Sequence, residues 1–260
     1  MRALIASVNG VVSDPAEAHI PVTDVGLLRG DGAFEVIRID GGRPFAMDEH
    51  MQRMSRSAAN LRLEIDLGAL QADIDAVLTQ AGPVDAAIRA LVTRGGNRVV
   101  LLEDLKDLPE TLALAQITYA PTRILDGVKS LSYAANMLAS RLAQERGCDE
   151  ALLVTPHGRV LEGPTTALFY SLGDDQLHTP PLEDHILDSI TRRHVIAVTG
   201  ANERVTTTGD LAAFTEAFLA STLREVHPIH RIEQRELPAP GPLTSAAATA
   251  VADRIRAALA

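Results

Sequence analysis

Three features of the sequence predict a mixed α/β fold in two domains. Its 260 residues suffice for one large domain or two modest ones with ordinary cores. Short strand-like runs alternate with longer stretches of helical spacing along the chain. Between two such blocks lies Tyr119-Ala-Pro-Thr-Arg123, whose composition is that of a connection. The expected division is a small N-terminal α/β domain over 1–118, a linker over 119–124 and a larger domain over 125–260.

Asn9-Gly10 tolerates positive φ at both positions, so residues 3–8 and 11–13 read as a hairpin. Glycines 26, 30 and 32 suggest a tight loop, Phe34 to Ile39 alternate like a strand, and Gly41-Gly42 closes a second hairpin. A helix is expected from Asp48, as N-cap, to Leu61, because Met51, Met54, Ala58 and Leu61 share one face. His50, Arg53 and Arg56 lie among them. A second helix covers 67–80 and stops near Gly82-Pro83. Strands are expected at 86–93 and 111–118, separated by the polar loop RGGNRVVLLEDLKDLPE. The second half opens with a strand carrying Lys129, then a helix over 134–146 that ends at Gly147. Strands at 150–155 and 166–171 flank a glycine-rich turn holding Glu162. A helix begins near Thr191, and strands follow near 204–207, 216–221 and 225–231. Residues 244–259 form an Ala-rich helix that Thr244 or Ser245 could cap.

A net charge of −10 argues against nucleic acid as a partner, since phosphate binding needs a basic face. No apolar run approaches the length that spans a bilayer, and the N-terminal apolar stretch is short for a signal peptide. A cytoplasmic location is the simplest expectation. The single cysteine, Cys148, excludes an internal disulfide framework and a cysteine-rich metal site, and reads as a small core residue. Metal is expected to be absent.

Basic residues carry the first chemical signal. Of the 24, only Lys106 and Lys129 are lysines. An amine can lose its proton when desolvated and attack a carbonyl; a guanidinium cannot. Lys106 sits in the charged run LEDLKDLPE, as surface residues do. Lys129 sits in the apolar stretch Gly-Val-Lys-Ser-Leu. The residues alone leave open whether it is a reactive amine or a solvated one.

Seven segments in order then resemble one family: GDGAFEVIR, DEHMQRMSRSA, VTRGG, VKSLSYAANMLA, DEALLVTPHGRVLEGPTTALF, TPPLEDHILDSITRRHVI and FLASTLREVHPI. Together they resemble the class IV aminotransferases, pyridoxal-phosphate enzymes of fold type IV. That resemblance implies a small N-terminal α/β domain and a larger domain with a β-barrel-like core. It implies active sites between the domains of a homodimer, with a loop borrowed from the neighbouring subunit. By it, Lys129 carries the Schiff base with pyridoxal 5′-phosphate and then shuttles a proton, while Glu162 pairs with the pyridine nitrogen. Arg53 would grip the phosphate, helped by Ile190 and Thr191 at a helix start and by Ser221 and Thr222 in a turn. Tyr133 would contact the ring oxygen. Ser189 stands where the family has glycine.

Amino acids and keto acids present a carboxylate, which arginine holds best. Arg29, Arg89, Arg94 and Arg98 lie near the expected mouth, and Arg29 with Arg89 match a pair used by some D-amino acid transaminases. Arg98 is the candidate for another family arginine, with the histidine two positions on missing and Phe34 in place of a tyrosine. Arg94 reads as structural. The resulting expectation is a transaminase moving an amino group between small amino acids, D-amino acids by preference, and 2-oxoglutarate or pyruvate. Alternatives are aminodeoxychorismate lyase, a branched-chain L-amino acid or (R)-amine transaminase, and a non-catalytic binder on the same scaffold.

Overall fold

Strand β3 (Gly32–Asp40) alternates between two environments, and the first sheet is built around that alternation. The computed structural model describes residues 2–260. In it β3 pairs antiparallel with β5 (Ala86–Thr93), β5 with β6 (Arg98–Glu103), and β6 with β1 (Ala3–Val8). The two edges are β2 (Val11–Ser13) and β4 (Arg43–Pro44), joined to their neighbours by the hairpins that Asn9-Gly10 and Gly41-Gly42 predict. Ala33, Ile37 and Ile39 point to one face with Ile88, Ala90, Val92, Val100 and Leu102. Helices α2 (Met47–Leu61) and α3 (Leu67–Ala81) cover that face with Met54, Ala58, Leu70, Ile74 and Val77. Each of the buried Val, Leu, Ile and Met side chains among them contributes about 1.5–3 kcal/mol.

Several expectations for this region need correction. Residues 94–110 are not one polar loop, because β6 runs through them. Val100 and Leu102 are buried against α2 and α3, so the run VVLL is a strand that is covered. The glycine cluster contains a short helix, α1 (Val25–Arg29), capped by the Asp24 carboxylate and ended by Gly30 at φ 66°. Gly32 is required by space: a Cβ there would lie 2.3 Å from the Val92 carbonyl oxygen and 2.6 Å from Leu131. Helix α2 starts one residue before Asp48 and is preceded by Ala46 in a left-handed conformation. Residues 129–131 are not a full strand. They run beside β3 through a single bridge, Ala33 to Ser130, with the amide of Phe34 donating to the Lys129 carbonyl at 3.0 Å.

The chain clusters into two compact units. One holds residues up to Asp107 together with 127–133 and 258–260; the other holds 108–126 and 134–257.

The second unit has its own sheet. Strands β9 (Ala167–Ser171), β12 (Glu216–Ser221) and β13 (Glu225–Ile232) are antiparallel; β7 (Leu112–Thr118) and β8 (Glu150–Val154) continue it in parallel. Short strands β10 (His178–Thr179), β11 (Asn202–Glu203) and β14 (Arg235–Glu236) complete it. The sheet curls into a half-barrel. Its strands read as almost continuous apolar runs because both faces are covered. Ala139 and Ala143 of α4 (Ala134–Glu145) pack on Ala113, Ala115, Ala151 and Leu153, a close approach that small residues permit. Phe169 and Phe218 stack at 5.0 Å beneath α5 (Ile190–Thr199), and Tyr170 stacks on Phe214 at 4.0 Å. Cys148 is buried.

Two more expectations change here. The strand expected near 204–207 is the two-residue β11 at 202–203. Helix α6 (Pro242–Leu259) begins before Thr244, which is inside the helix with its hydroxyl and amide both 2.7 Å from a Glu216 carboxylate oxygen. No helix among the described residues is long and apolar enough to cross a membrane.

Candidate active site

The first unit places Lys129 over aromatic rings. Its amide is anchored by the Ser57 hydroxyl of α2 at 3.1 Å, and its Nζ lies 4.4 Å from the centre of the Phe34 ring and 5.7 Å from that of Tyr133. The rings meet edge to face at 5.2 Å. An ammonium held over such faces is stabilised by about 0.5–1 kcal/mol where water is near. Arg89, paired across from Val36, lies on the same sheet face as Phe34, with its guanidinium carbon 5.9 Å from that ring. Glu103 occupies one edge of the Arg89 fork, at 3.0–3.1 Å.

Arg53 is also in this unit, on the other side of β3. The strand phase that sends Ala33 and Ile37 inward sends Glu35 with them, to 1% exposure. Its carboxylate accepts from Arg53 Nε at 2.7 Å and Nη2 at 2.6 Å, and lies 2.7 Å from His50 Nδ1. His50 and Arg53 are one turn apart on α2, so both reach the same carboxylate. Burial pushes the Glu35 carboxyl upward, but the bonds and charges of Arg53 and His50 outweigh it and hold it at about 2. Burial pushes His50 below its ordinary value. Glu35 offsets part of that, and the charges of Arg53 and Lys129 add to it. His50 Nε2 is buried with no hydrogen-bond partner. Neither Glu35 nor His50 was among the candidate site residues. The signal that could have found them was a charged residue in the inward phase of a strand.

The remaining arginines separate. Arg29 is exposed at the last turn of α1. Arg94 binds Asp31 at 2.5 Å and the carbonyls of Leu61 and Arg62, tying down the end of α2 as a structural residue does. Arg98 pairs with Val92, which faces the helices, and its Nε donates to Asp73 of α3 at 2.8 Å. Arg98 therefore lies on the face opposite to Phe34 and Arg89.

In the second unit, Glu162 sits on a turn whose ladder to β8 runs through Leu153 and Leu161. Its carboxylate accepts from the Leu187 amide at 3.1 Å. Burial, and then the charge of Glu162, raise the pKa of Tyr119. Ile190 and Thr191 form the first turn of α5 and are buried, with Ser189 as N-cap at φ −71° accepting from the Arg192 amide. That φ suits any residue, so serine in place of glycine keeps the turn and adds a cap. Amides at such a helix end favour an anion. Ser221 ends β12, and its hydroxyl and carbonyl both accept from the Arg224 amide, with Thr222 in the turn between. Arg224 Nη2 donates to Glu150 at 3.1 Å, and Glu150 also accepts from Ser140 at 2.7 Å.

The class IV amino-transferase signature matches residues 32–232, most of the chain. The chain belongs to the class IV aminotransferase family. D-alanine aminotransferase of Bacillus licheniformis is 30% identical over 274 residues, covering 95% of each chain. A fold IV transaminase from Curtobacterium pusillum superposes with a TM-score of 0.86 at 26% identity, covering 96% of this chain and 99% of that one. A branched-chain aminotransferase from Thermoproteus uzoniensis, solved with norvaline, gives 0.90 at 26% identity over 99% and 96%. This aminotransferase is a pyridoxal-phosphate-dependent transaminase acting on small amino and keto acids.

The residues present fit that cofactor. Its aldehyde needs an amine, its ring nitrogen an acid, and its phosphate cationic and amide donors. A lysine over aromatic rings, a glutamate on a turn, a buried arginine beside an orphaned imidazole nitrogen, and the amides at the start of α5 are groups of those kinds. No cluster of metal-ligating side chains occurs among the described residues.

Proposed function

We propose that this aminotransferase moves an amino group from a small D-amino acid to 2-oxoglutarate or pyruvate, with Lys129 as its catalytic residue. The cofactor supplies the electron sink that makes loss of the α-proton possible. Lys129 holds the cofactor covalently, and its freed amine then carries the proton from the substrate α-carbon. Glu162 keeps the ring nitrogen protonated. Arg53, the amides of Ile190 and Thr191, Ser221 and Thr222 hold the phosphate, and Tyr133 contacts the ring oxygen. Arg89 binds the substrate carboxylate through the edge that Glu103 leaves open. Arg29 joins it from the second subunit of a homodimer. Arg98, held by Asp73 on the other face of the sheet, has no part in this reading. A cytoplasmic location goes with it.

The observation that carries the D-preference is likeness to a D-alanine aminotransferase over nearly the whole of both chains. Support for Arg89 comes from its position on the Phe34 face, with Lys129 over the same ring. Mixing the purified enzyme with D- and L-amino acids and (R)-amines, one at a time, tests the substrate class. D-alanine or another small D-amino acid is expected to convert the visible cofactor band to its amine form fastest. Faster conversion by an L-amino acid or an (R)-amine would overturn the preference. Pyruvate release from aminodeoxychorismate without any acceptor would mark a lyase instead.

Arg89→Leu removes a charged hydrogen-bond donor worth about 1.5–3 kcal/mol, a 10- to 100-fold effect. The expected result is a rise of that size in KM for the keto acid, with kcat much less changed. An unaltered KM would dismiss Arg89 from the site. Sedimentation showing an active monomer would dismiss Arg29.

A further inference from the structure

We propose that His50 is a second contact to the cofactor phosphate, doubly protonated when that phosphate is bound, so that binding takes up a proton. The inference rests on the reading that Arg53 holds the phosphate. Three charged groups face His50: Glu35 from β3, Arg53 from its own helix and Lys129 from the 127–133 segment. Glu35 and Arg53 form a bidentate pair and cancel. With the imidazole neutral, the Glu35–His50–Arg53 cluster carries no net charge, so of the groups facing His50 only the Lys129 amine is left to meet a dianion, and that amine is taken up by the cofactor aldehyde in the working enzyme.

The hydrogen-bond inventory points the same way. With Nδ1–H donating to Glu35 at 2.7 Å, neutral His50 leaves a bare lone pair at Nε2. That atom is buried without a partner in a side chain about 1% exposed. Buried polar atoms are seldom left so unless something else fills the place. A phosphate monoester near neutral pH brings acceptors and no proton. It can satisfy Nε2 only if a proton is there first. Adding that proton gives the cluster a charge of +1, and gives the phosphate a charge-assisted bond. Glu35 on the far nitrogen stabilises the resulting imidazolium. The sign follows: the free protein holds His50 neutral at pH 7.5, and the bound form holds it charged, so affinity weakens as pH rises.

The test uses the full chain freed of cofactor and titrated calorimetrically at about pH 7.5 with pyridoxine 5′-phosphate, which has no aldehyde to react with Lys129. Phosphate-free buffers of different ionisation enthalpy report the protons exchanged. Uptake of about half a proton or more is expected, with Kd rising by up to about tenfold per pH unit above neutrality. His50→Gln should abolish the uptake and weaken binding about tenfold or more. His50→Asn serves the same purpose if the glutamine variant does not fold. Binding without proton uptake, or uptake unchanged by the substitution, overturns the role of His50 and leaves that of Arg53 standing. Equal binding of pyridoxine with and without its phosphate overturns both.

Discussion

Lys129→Ala is expected to lose transamination by about 10⁴-fold or more, and to lose the visible band of the lysine-bound cofactor with it. The size follows from two functions resting on one nitrogen. Proton transfer by a positioned base contributes about 10²–10⁴-fold, and the covalent link that activates the aldehyde adds to that. The fold should survive. The main chain of residue 129 is held on both sides, its amide by Ser57 and its carbonyl by the Phe34 amide, and the substitution keeps both bonds. The contact of the side chain with the Phe34 and Tyr133 rings is worth about 0.5–1 kcal/mol at a half-buried position. A melting temperature close to that of the unsubstituted protein, with activity gone, is therefore the expected pair of results. Turnover near the original rate would remove Lys129 from the chemistry.

The same lysine shows how far the sequence could be read. Its rarity among so many arginines marked it, and the family resemblance gave it a role. Neither said what surrounds the amine. The aromatic pair could not be read from spacing, because Phe34 and Tyr133 meet only through the single bridge that lays 129–131 beside β3. Elements with one polar and one apolar face were legible: α2, α3, β3 and β5 lie where their periodicity puts them. Strand β6 was not, because VVLL has no alternation and is flanked by charge. That omission propagated. Without β6 there was no face on which to set Arg98, so it remained beside Arg89 as a carboxylate ligand when its register with Val92 turns it toward Asp73. Glu35 was readable in principle, since the phase of Ala33 and Ile37 already placed it inside.

That buried carboxylate is where the largest effect on stability is expected. Glu35→Ala removes the one acceptor shared by Arg53 and His50 and leaves a guanidinium in the interior without its counter-charge. Breaking a buried pair from one side costs about 3–5 kcal/mol. In a chain of this size, that corresponds to a fall of about 6–20 °C in Tm. Glu35→Gln keeps an acceptor for Arg53 but no charge, and should fall between the two.

The acid limb of stability separates this role from simple packing. The folded carboxyl titrates at about 2, below its ordinary 4.5, so the unfolded chain takes up this proton first. The contribution is present above about pH 4.5 and is lost as pH falls toward 2, on the order of 3 kcal/mol in all. His50 acts in the same direction at higher pH: its folded pKa is below 6.5, so acidification below that value also favours the unfolded chain. Urea unfolding at pH 7, 5.5, 4 and 3 should show a loss for the unsubstituted protein that steepens below about pH 4.5. For Glu35→Gln the part of the loss below about pH 4.5 should vanish, while the His50 part persists or grows as the imidazole loses its counter-ion. Parallel acid limbs in the two proteins would mean that Glu35 and Arg53 are not the charge pair that fixes this corner of α2.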